Sequence, residues 1–362
     1  MKGTAGLPKR KDAPKVVILV GGSGTRLQPL TYEKPKSMVP VLNKPFMEHI
    51  IAYLRQFGIE DVILTLNYLP EVIQNYFGDG SRFGVRLAYC VENEPMGTAG
   101  AVKNAEAYLN STFIVLNGDV FTDLDIADML ACHRAKGARA TISLHRVDNP
   151  SAFGVVETDS DRRVGRFIEK PPLAEATTNW INAGTYILEP EVLEHIPAKS
   201  HHMFEKGLFP RLLEMGAPVY GYPSSGYWMD MGTLGKYLSL NEDLLLSKTA
   251  SPLIRGWDSA RVCSDRGAAI HPSAEIVAPV MIGSGCTIGR VSIRGPVVIG
   301  PDCHIEEGAS IENAVLWDNV RIGARARLSR SIISSYTRIE PERQVVNCAV
   351  TPSQTTPLPQ PS

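Results

Sequence analysis

Long apolar runs are absent from this sequence, and its few cysteines show no pairing pattern. No apolar stretch approaches the roughly 20 residues that cross a bilayer, so we expect no membrane partner. Residues 1–15 are basic and lack an apolar segment, which excludes a secretory signal. The six cysteines have neither CxxC nor metal-ligand spacing, a usage typical of a cytoplasmic protein with reduced thiols.

A strong net charge is also missing. Lys and Arg number 37 and Asp and Glu 38, which leaves a formal charge of −1. Binding to nucleic acid needs a concentrated basic field, so we expect no nucleic-acid partner. A hydrophobic content of 44% with 21% charged residues is ordinary for a globular protein, and 362 residues suit two domains.

The most informative segment runs from Val16 to Lys36. It begins with VVILV, an apolar and mostly β-branched run that predicts a buried strand. A glycine-rich turn follows, in which backbone amides can face an anion without a Cβ in the way. Arg26 closes this turn, and Lys36 adds a second cation further on. The combination indicates a site for a triphosphate.

Two common phosphate-binding motifs are excluded at this turn. The dinucleotide fingerprint would need a glycine where Leu27 stands, and a Walker loop would end in Gly-Lys-Ser/Thr. The longer string GGSGTRLQPLT, followed by KPK, resembles the signature of sugar-1-phosphate nucleotidyltransferases, the enzymes that make NDP-sugars. The resemblance implies that Arg26 and Lys36 contact the phosphates and are catalytic. It also implies a nucleotide-binding loop made of Val20, Gly21, Gly22, Ser23, Gly24, Thr25 and Arg26.

The same resemblance implies a catalytic metal held by two aspartates. Asp119 follows the apolar run FIVL and Asn117, and a carboxylate at the carboxyl end of a parallel strand lies where such folds bind ligands. Asp230 lies in the string GYWMDMGT, which fits the second aspartate of the family. The implied ion is Mg²⁺, which uses one or two carboxylates together with substrate phosphates. Asn117 is assigned to the nucleotide.

Three short segments match the sugar-phosphate site of the family. FIEKP implies that Glu169 accepts sugar hydroxyls and that Lys170 faces the phosphate of the sugar-1-phosphate, as a further catalytic cation. NAG implies that Asn182 binds a hydroxyl and that Gly184 leaves room for the sugar ring. Gly154, in AFGVV, implies another close approach of backbone to sugar. An Asn-Gly pair can equally mark a β-bulge.

The segment ENEPMGTAG occupies the base-reading position of the family, where Gly97 and Thr98 are assigned to the nucleotide. Members that use uracil or thymine generally have Gln where this chain has Glu92. A carboxylate only accepts hydrogen bonds, which suits the two donors on the Watson–Crick edge of guanine. Uracil and thymine would set carbonyl oxygens against it, so GTP is the favoured nucleotide. The alternative is that Glu92 is exposed and another group reads the base.

The predicted fold is α/β: a Rossmann-like nucleotidyltransferase domain with a mostly parallel central sheet over residues 16–247. Helices are expected at Pro45–Phe57 and at Asp125–Lys136, the latter with Asp125 as N-cap. Three segments flank the domains: a flexible arm over residues 1–15, a linker over 248–268 and a Pro-rich disordered tail over 346–362.

From residue 269 to 345 an aliphatic side chain recurs every five or six residues. This is the hexapeptide repeat of a left-handed parallel β-helix, in which each face adds one aliphatic side chain to an interior stack. Thirteen repeats, three to a coil, predict about four coils, with glycine at the tight corners. Because open coil ends leave strand edges unpaired, we expect a homo-oligomer, a dimer or larger, through the β-helix. The repeated positions are Ile270, Ile276, Ile282, Ile288, Ile293, Ile299, Ile305, Ile311, Leu316, Ile322, Leu328, Ile333 and Ile339.

Together these features predict an enzyme that makes an NDP-sugar from an NTP and a hexose-1-phosphate and releases pyrophosphate. The string EPMGTAG and the β-helix resemble the mannose-1-phosphate guanylyltransferases of the family, which implies GTP, mannose-1-phosphate and GDP-mannose. Thymidylyl or uridylyl transfer to glucose-1-phosphate is the nearest alternative. A β-helix acyltransferase and a non-catalytic subunit that senses NDP-sugars are alternatives of other classes.

Overall fold

The computed structural model describes residues 13–359. Most of the arm predicted over residues 1–15 therefore lies outside the described residues, and Lys15 is already the first residue of a strand. Contacts divide the chain into two compact units, residues 13–22 with 50–228 and residues 23–49 with 229–359. The domain limits predicted from the sequence stay predictions.

Strands and helices alternate through the first two thirds of the chain. In chain order they are β1 (Lys15–Val20), β2 (Pro40–Val41), β3 (Lys44–Pro45), α1 (Phe46–Gln56), β4 (Asp61–Leu66), α2 (Pro70–Phe77), β5 (Arg86–Val91), α3 (Gly97–Asn104), β6 (Phe113–Asn117), β7 (Val120–Thr122), α4 (Ile126–Ala135), β8 (Ala140–Arg146), β9 (Gly154–Thr158), β10 (Val164–Glu169), β11 (Trp180–Leu188), α5 (Phe209–Glu214), β12 (Val219–Pro223), β13 (Trp228–Asp230) and α6 (Leu234–Leu245).

The first unit is built on a sheet whose central strands are parallel. β6, β1, β4 and β5 lie side by side in that order, and β11 joins β6 in the antiparallel direction. β9 and β10 continue beyond β11, while the parallel pair β8 and β12 also attaches to β11. The strand order reverses at β1, which pairs with β4 on one side and β6 on the other. Sheets of this kind bind ligands at such a switch point, beyond the carboxyl ends of the strands.

Local sequence explains these elements. In β1, Val16, Val17 and Ile18 have no exposed surface, as a strand covered on both faces requires. The N-cap predicted for α4 is present, because the Asp125 carboxylate accepts a hydrogen bond from the backbone N–H of Asp128. The predicted α/β fold with a mostly parallel sheet is confirmed.

The second unit contains the parallel β-helix predicted from the aliphatic repeat. Its handedness stays a prediction. Its strands are β14 (Val262–Ser264), β15 (Ala269–Ile270), β16 (Glu275–Val277), β17 (Val280–Ile282), β18 (Thr287–Ile288), β19 (Ser292–Ile299), β20 (His304–Ile305), β21 (Ser310–Leu316), β22 (Arg321–Ile322), β23 (Arg327–Ile333), β24 (Arg338–Ile339), β25 (Gln344–Val346), β26 (Cys348–Val350) and β27 (Thr355–Pro357).

Columns of aliphatic side chains fill the interior of the β-helix, because residues one coil apart pair in register. The structure has one more rung than the roughly four coils predicted from the repeat. Val345 and Val350 extend two columns past Leu328 and Ile333, and they are aliphatic like the residues below them. One complete column consists of Ile270, Ile288, Ile305, Ile322 and Ile339.

The glycines that follow aliphatic residues come directly after strands, where successive coils approach each other closely. A Cβ added at Gly300 would lie 2.5 Å from the carbonyl carbon of Trp317 on the next coil. At Gly283 and Gly323 it would lie 2.6 Å from the backbone nitrogen of a proline on the next coil. These glycines are therefore needed for the close approach of successive coils.

The predicted linker and tail contain more regular structure than expected. β14 lies inside the predicted linker and pairs with β17. In the predicted tail, β26 pairs with β27 in the antiparallel direction, and the side chain of Asn347 donates to the carbonyl of Leu358 at 3.2 Å. The buried side chains of Ala349 and Leu358 explain why this part of the tail is ordered. Residues 360–362 of the tail lie outside the described residues.

Over residues 13–359, every helix is too short or too polar to span a bilayer. All six cysteines are free thiols, as the sequence predicted.

A buried histidine makes the stability of the second unit depend on pH. His49 is 1% exposed; its Nε2 donates to the carbonyl of Val41 at 2.9 Å, and its Nδ1 lies 2.7 Å from the hydroxyl of Ser251. Burial lowers the pKa of His49 to about 4, and the hydrogen bond to Val41 offsets only part of that shift. In the unfolded chain the pKa is about 6.5.

The unfolded state therefore binds more protons than the folded state between these two pKa values. The contribution of His49 to the free energy of unfolding is complete above about pH 6.5 and is lost as the pH falls toward 4, by roughly 3 kcal/mol in all. Urea unfolding across this range should show a flatter pH dependence for His49→Gln than for wild type. The matched control is His271→Gln, at an exposed position. Equal slopes for wild type and His49→Gln would contradict the assignment.

Candidate active site

The switch point of the first unit brings the ends of β1 and β6 together. Leu19 pairs with Asn117, and the N–H of Gly118 donates to the carbonyl of Leu19 at 2.9 Å. Only glycine fits at position 118, because an added Cβ would lie 2.6 Å from that carbonyl oxygen. Asp119 follows at once, half-buried in the turn between β6 and β7. Its carboxylate thus belongs to the carboxyl end of the parallel sheet, as predicted.

A buried polar atom at this point has no hydrogen-bond partner within residues 13–359. Among the described residues, Oδ1 of Asn117 is buried and accepts no hydrogen bond. Gly184 packs against the same side chain, since an added Cβ there would lie 2.5 Å from Nδ2 of Asn117. An unsatisfied buried acceptor costs about 1–3 kcal/mol. A hydrogen-bond donor on a bound ligand would remove that cost.

Glu92 follows β5 and lies beside the glycine turn that follows β1. It is 6% exposed, so the alternative that placed Glu92 on the surface is wrong. Oε2 accepts a hydrogen bond from the N–H of Met96 at 3.0 Å, and Oε1 lies 3.9 Å from the position a Cβ would take at Gly21. Burial raises the pKa of the Glu92 carboxyl, and the hydrogen bond from Met96 opposes part of that shift. If both carboxylate oxygens of Glu92 pair with a base, Oε2 must therefore accept hydrogen bonds from the base and from Met96 together.

Gly97 and Thr98 make their described contacts to the protein itself. Gly97 has a φ of 71°, and an added Cβ would lie 2.6 Å from the carbonyl oxygen of His202. The hydroxyl of Thr98 accepts from the N–H of Phe204 at 2.9 Å and donates to Oε2 of Glu205 at 3.1 Å. These contacts fix the first turn of α3. The nucleotide contacts predicted for both residues stay predictions.

β9 and β10 position three residues of the predicted sugar-phosphate site. Gly154 pairs with Glu169, and an added Cβ would lie 2.6 Å from the ring of Phe167 and 3.0 Å from Oε2 of Glu169. Nζ of Lys170 lies 3.3 Å from Oε1 of Glu169, and the Lys170 side chain is 63% exposed, so a ligand can reach the ammonium. Lys170 also has a φ of 49°, a strained backbone of the kind that clusters at functional sites.

The side chain of Asn182 is engaged within β11. Its Oδ1 accepts from the N–H of Gly184 at 3.0 Å, and its Nδ2 donates to the hydroxyl of Tyr186 at 2.8 Å. The register between β11 and β8 shifts between Asn182 and Tyr186, so the pairing of the two strands is irregular there. The β-bulge given as the alternative stays a prediction. Hydroxyl binding by Asn182 stays a prediction.

The second part of the glycine turn belongs to the second unit. Gly24 has a φ of 66°, and its carbonyl accepts a hydrogen bond from the hydroxyl of Thr31 at 2.9 Å. An added Cβ at Gly24 would lie 3.1 Å from Thr31 and 3.2 Å from Lys36. Glycine therefore lets the turn pack against the segment that carries Lys36. The exposed residues of the whole turn are Gly22, Ser23, Thr25 and Arg26.

Three cationic side chains border Asp230. Nζ of Lys236 donates to Oδ2 at 3.2 Å, and Nζ of Lys36 lies 3.9 Å from Oδ1. An added Cβ at Gly232 would lie 2.8 Å from both carboxylate oxygens and 3.1 Å from Nη2 of Arg26, so Arg26 adjoins the same carboxylate. The side chains of Lys36 and Asp230 are only 12% and 14% exposed, which weakens solvent screening between them. The excess of positive charge suits a polyphosphate.

The two predicted metal ligands fall in different units, Asp119 in the first and Asp230 in the second. Both offer carboxylate oxygens, the donors that hard divalent cations prefer. Nζ of Lys36 is within ion-pair distance of Oδ1 of Asp230, so a metal at this carboxylate would share it with the lysines. Binding of one ion by both aspartates stays a prediction.

Comparison with known proteins assigns the chain. A family model described as nucleotidyl transferase matches residues 15–247. This chain belongs to the nucleotidyl transferase family. It is therefore an enzyme that transfers nucleotidyl groups, of a family that generally uses a divalent metal. A second model, described as the GMPPB C-terminal domain, matches residues 259–356.

Two curated relatives and one solved structure are similar to this nucleotidyltransferase over most of their own length. It is 39% identical to a mannose-1-phosphate guanylyltransferase of Mycobacterium tuberculosis over 316 residues, 87% of this chain and 82% of that protein. It is 36% identical to a UTP–glucose-1-phosphate uridylyltransferase of Synechocystis sp. over 336 residues, 88% of this chain and 87% of that protein. The crystal structure of HddC from Yersinia pseudotuberculosis complexed with GMP-PN matches with a TM-score of 0.56 at 32% identity, over 64% of this chain and 99% of that one.

Sequence reasoning missed two charged residues of this nucleotidyltransferase. Lys236 lies in the first turn of α6, where a positive charge interacts unfavourably with the helix dipole. That unfavourable position could have marked Lys236 as a candidate site residue. Glu205 lies in a π-helical turn at Phe204–Leu208 and contacts Thr98. Burial raises the pKa of its carboxyl, and the nearby Glu169 raises it further. No motif in the sequence singled Glu205 out.

Proposed function

We propose that this nucleotidyltransferase transfers GMP from GTP to mannose-1-phosphate and yields GDP-mannose and pyrophosphate. The observation that carries the choice of base is the buried Glu92, whose Oε1 faces the glycine turn. Guanine offers N–H donors to a carboxylate, whereas uracil and thymine would oppose it with carbonyl oxygens. The name of the relative from Mycobacterium tuberculosis supports the same base and the same sugar.

The proposed reaction needs no protein nucleophile. A phosphate oxygen of the sugar-1-phosphate attacks the α-phosphorus in line with the departing pyrophosphate, so positioning and charge neutralisation provide the catalysis. Arg26 and Lys36 offset charge on the nucleotide phosphates, and the exposed ammonium of Lys170 anchors the attacking phosphate. Mg²⁺ is the proposed metal, with Asp119 and Asp230 as its ligands, and when bound it supplies positive charge to the phosphates.

Oδ1 of Asn117, which lacks a partner among the described residues, is assigned to a donor group of the nucleotide. On the sugar side, Glu169 accepts hydroxyls, while Gly154 and Gly184 allow close approach of the ring. Asn182 contributes through its backbone or after breaking one of its two internal hydrogen bonds.

One incubation tests the whole proposal. The purified protein is given all nucleoside triphosphates, a panel of hexose-1-phosphates and Mg²⁺, and the products are identified by mass. GDP-mannose as the main product is expected. UDP-glucose as the main product would favour the second candidate, uridylyl transfer to glucose-1-phosphate, which the relative from Synechocystis sp. supports. Absence of any pyrophosphate release would contradict both.

Glu92→Gln is expected to lower kcat/KM for GTP by about 10–100-fold, the loss that unmatched buried polar groups cause. The variant should lose less with UTP, because an amide can donate to a carbonyl oxygen. Initial rates with each nucleotide, at fixed mannose-1-phosphate, give the two ratios. Glu94→Gln, an exposed position two residues on, is the matched control. Equal losses with GTP and UTP would remove Glu92 from base selection.

We propose that the first coil of the β-helix forms the contact in a homo-oligomer. β14 and β15 lie at the ends of their sheets, so one side of each strand lacks a neighbour within residues 13–359. Val262 and Val277 of this coil are 38% and 57% exposed. Light scattering at working concentration should give a mass of at least two chains, and Val277→Lys should lower it. A monomeric wild type would overturn the proposal.

A further inference from the structure

Two residues of α6 form hydrogen bonds to the segment that carries Lys36. Lys36 opens a short 3-10 turn, and Pro40 begins β2 four residues later. The hydroxyl of Tyr237 donates to the carbonyl of Pro40 at 2.6 Å. One helical turn further, the side chain of Asn241 accepts from the N–H of Leu42 at 3.0 Å. Tyr237 and Asn241 are buried, so water competes little for the Asn241 bond and only in part for the bond to Pro40.

The β-helix in turn supports Tyr237. The indole N–H of Trp317 donates to the Tyr237 hydroxyl at 2.9 Å, so that hydroxyl accepts one hydrogen bond and donates one to Pro40. The backbone of Trp317 is itself fixed on its coil. Its backbone N–H donates to the carbonyl of Ile333 at 2.9 Å, and its backbone carbonyl accepts from the thiol of Cys303 at 3.0 Å. A continuous chain of hydrogen bonds therefore leads from the coil to the segment.

Two further contacts join the β-helix to the same segment. Nζ of Lys34 lies 5.0 Å from the centre of the Trp317 ring, a cation–π distance. The side chain of Asn43 donates to the carbonyl of Ile299 at 2.9 Å. Residues 34–43 thus contact the β-helix at both ends, and Lys36 lies between the two contacts.

α6 also holds the partner of Lys36. Lys236 and Tyr237 are consecutive residues of this helix, and Lys236 donates to Asp230 while Tyr237 donates to Pro40. The same helical turn therefore holds both the Asp230 carboxylate and the segment that carries Lys36.

We propose that Trp317 and Tyr237 are positioning residues through which the β-helix sets the place of the Lys36 ammonium. This inference rests on the phosphate-binding role proposed for Lys36. Loss of the Tyr237 hydroxyl leaves the indole N–H of Trp317 unsatisfied in a buried place and removes the bond that holds the Pro40 carbonyl, so the segment is expected to shift. Displacement of a charge-neutralising group by about 1 Å can cost up to 10²-fold in rate.

Three variants test the inference with kcat at saturating NTP. Tyr237→Phe should lower kcat by roughly tenfold, and Trp317→Phe should lower it less, because Tyr237 still reaches Pro40. The double variant should be no slower than Tyr237→Phe, since both changes break one chain of bonds. The control is Ile333→Val, which removes one methylene from the interior of the β-helix and leaves the indole–hydroxyl pair in place. It should lose stability but keep kcat.

A second readout does not depend on turnover. Acetylation of lysines by an N-hydroxysuccinimide ester, followed by mass spectrometry, reports how accessible Lys36 is relative to Lys248, whose side chain is 59% exposed. In the wild-type protein the Lys36 side chain is 12% exposed. Its acetylation should be several-fold faster in Tyr237→Phe than in wild type, and equal to wild type in Ile333→Val. Wild-type kcat and labelling in Tyr237→Phe, or equal losses in Ile333→Val, would overturn the inference. If the wild-type protein makes no NDP-sugar, the proposed function fails. The labelling of Lys36 still shows whether Tyr237 and Trp317 position its side chain.

Discussion

Lys36→Ala is expected to lower kcat by about 10²–10³ at saturating nucleotide, the equivalent of about 3–4 kcal/mol of transition-state stabilisation. The Lys36 side chain is 12% exposed and its Nζ lies 3.9 Å from Oδ1 of Asp230, so the charge acts where solvent screens it weakly. Its place in the cationic group with Arg26 and Lys236 suits it to the charge that develops on the leaving pyrophosphate. Pyrophosphate release under single-turnover conditions measures this effect directly.

Two control variants separate charge from structure at position 36. Lys36→Arg keeps the charge and should recover part of the rate. Lys248→Ala removes an exposed lysine that pairs with Asp243 at 2.7 Å, and it should leave kcat unchanged. Thermal unfolding of Lys248→Ala should agree with wild type within about 1 kcal/mol, since exposed ion pairs contribute little. The same measurement on Lys36→Ala and Lys36→Arg separates a loss of folding from a loss of charge. A Lys36→Ala protein that turns over at the wild-type rate would remove Lys36 from the mechanism.

Asp119→Asn is expected to lower kcat by about 10²-fold or more, because a charge at the carboxyl end of the parallel sheet is lost while shape is kept. The concentration of Mg²⁺ needed for half-maximal rate should rise as well, since an amide is a poorer ligand for a hard cation than a carboxylate. A titration of rate against Mg²⁺ at fixed GTP gives both quantities.

The matched control for this variant is Asp161→Asn. Asp161 is an exposed carboxylate of the first unit that pairs with Lys136, and its loss should change neither the rate nor the Mg²⁺ requirement. If Asp119→Asn slows the reaction without any change in the Mg²⁺ titration, Asp119 acts on the substrate and not on the metal. An unchanged rate would contradict its assignment altogether.

Local patterns predicted much of the fold. The run VVILV became the central strand β1 because β-branched apolar residues suit a strand covered on both faces. The recurring aliphatic side chains became the columns of the β-helix because a fixed repeat length brings equivalent residues into register. The extra rung and the ordered tail were missed because Val345 and Val350 carry the repeat past the last isoleucine.

The candidate site was predicted less completely. The glycine turn and the aspartate after β6 could be found because short motifs encode them. The contacts of Thr98 and Asn182 could not, because their partners depend on how the chain folds around them. Lys236 joined the cations around Asp230 through the path of α6, which no motif marks.

The sequence by itself determined which chemical groups are present, the α/β and β-helix architecture, and membership of the nucleotidyl transferase family. Tertiary structure alone decided which of those groups are already engaged with the protein and which lack a hydrogen-bond partner among the described residues. Thr98 and Glu205 are 107 residues apart, and Tyr237 and Trp317 are 80 apart, yet each pair shares a hydrogen bond. Spacing along a chain fixes only local geometry, whereas burial and hydrogen-bond partners are set by segments that meet after folding.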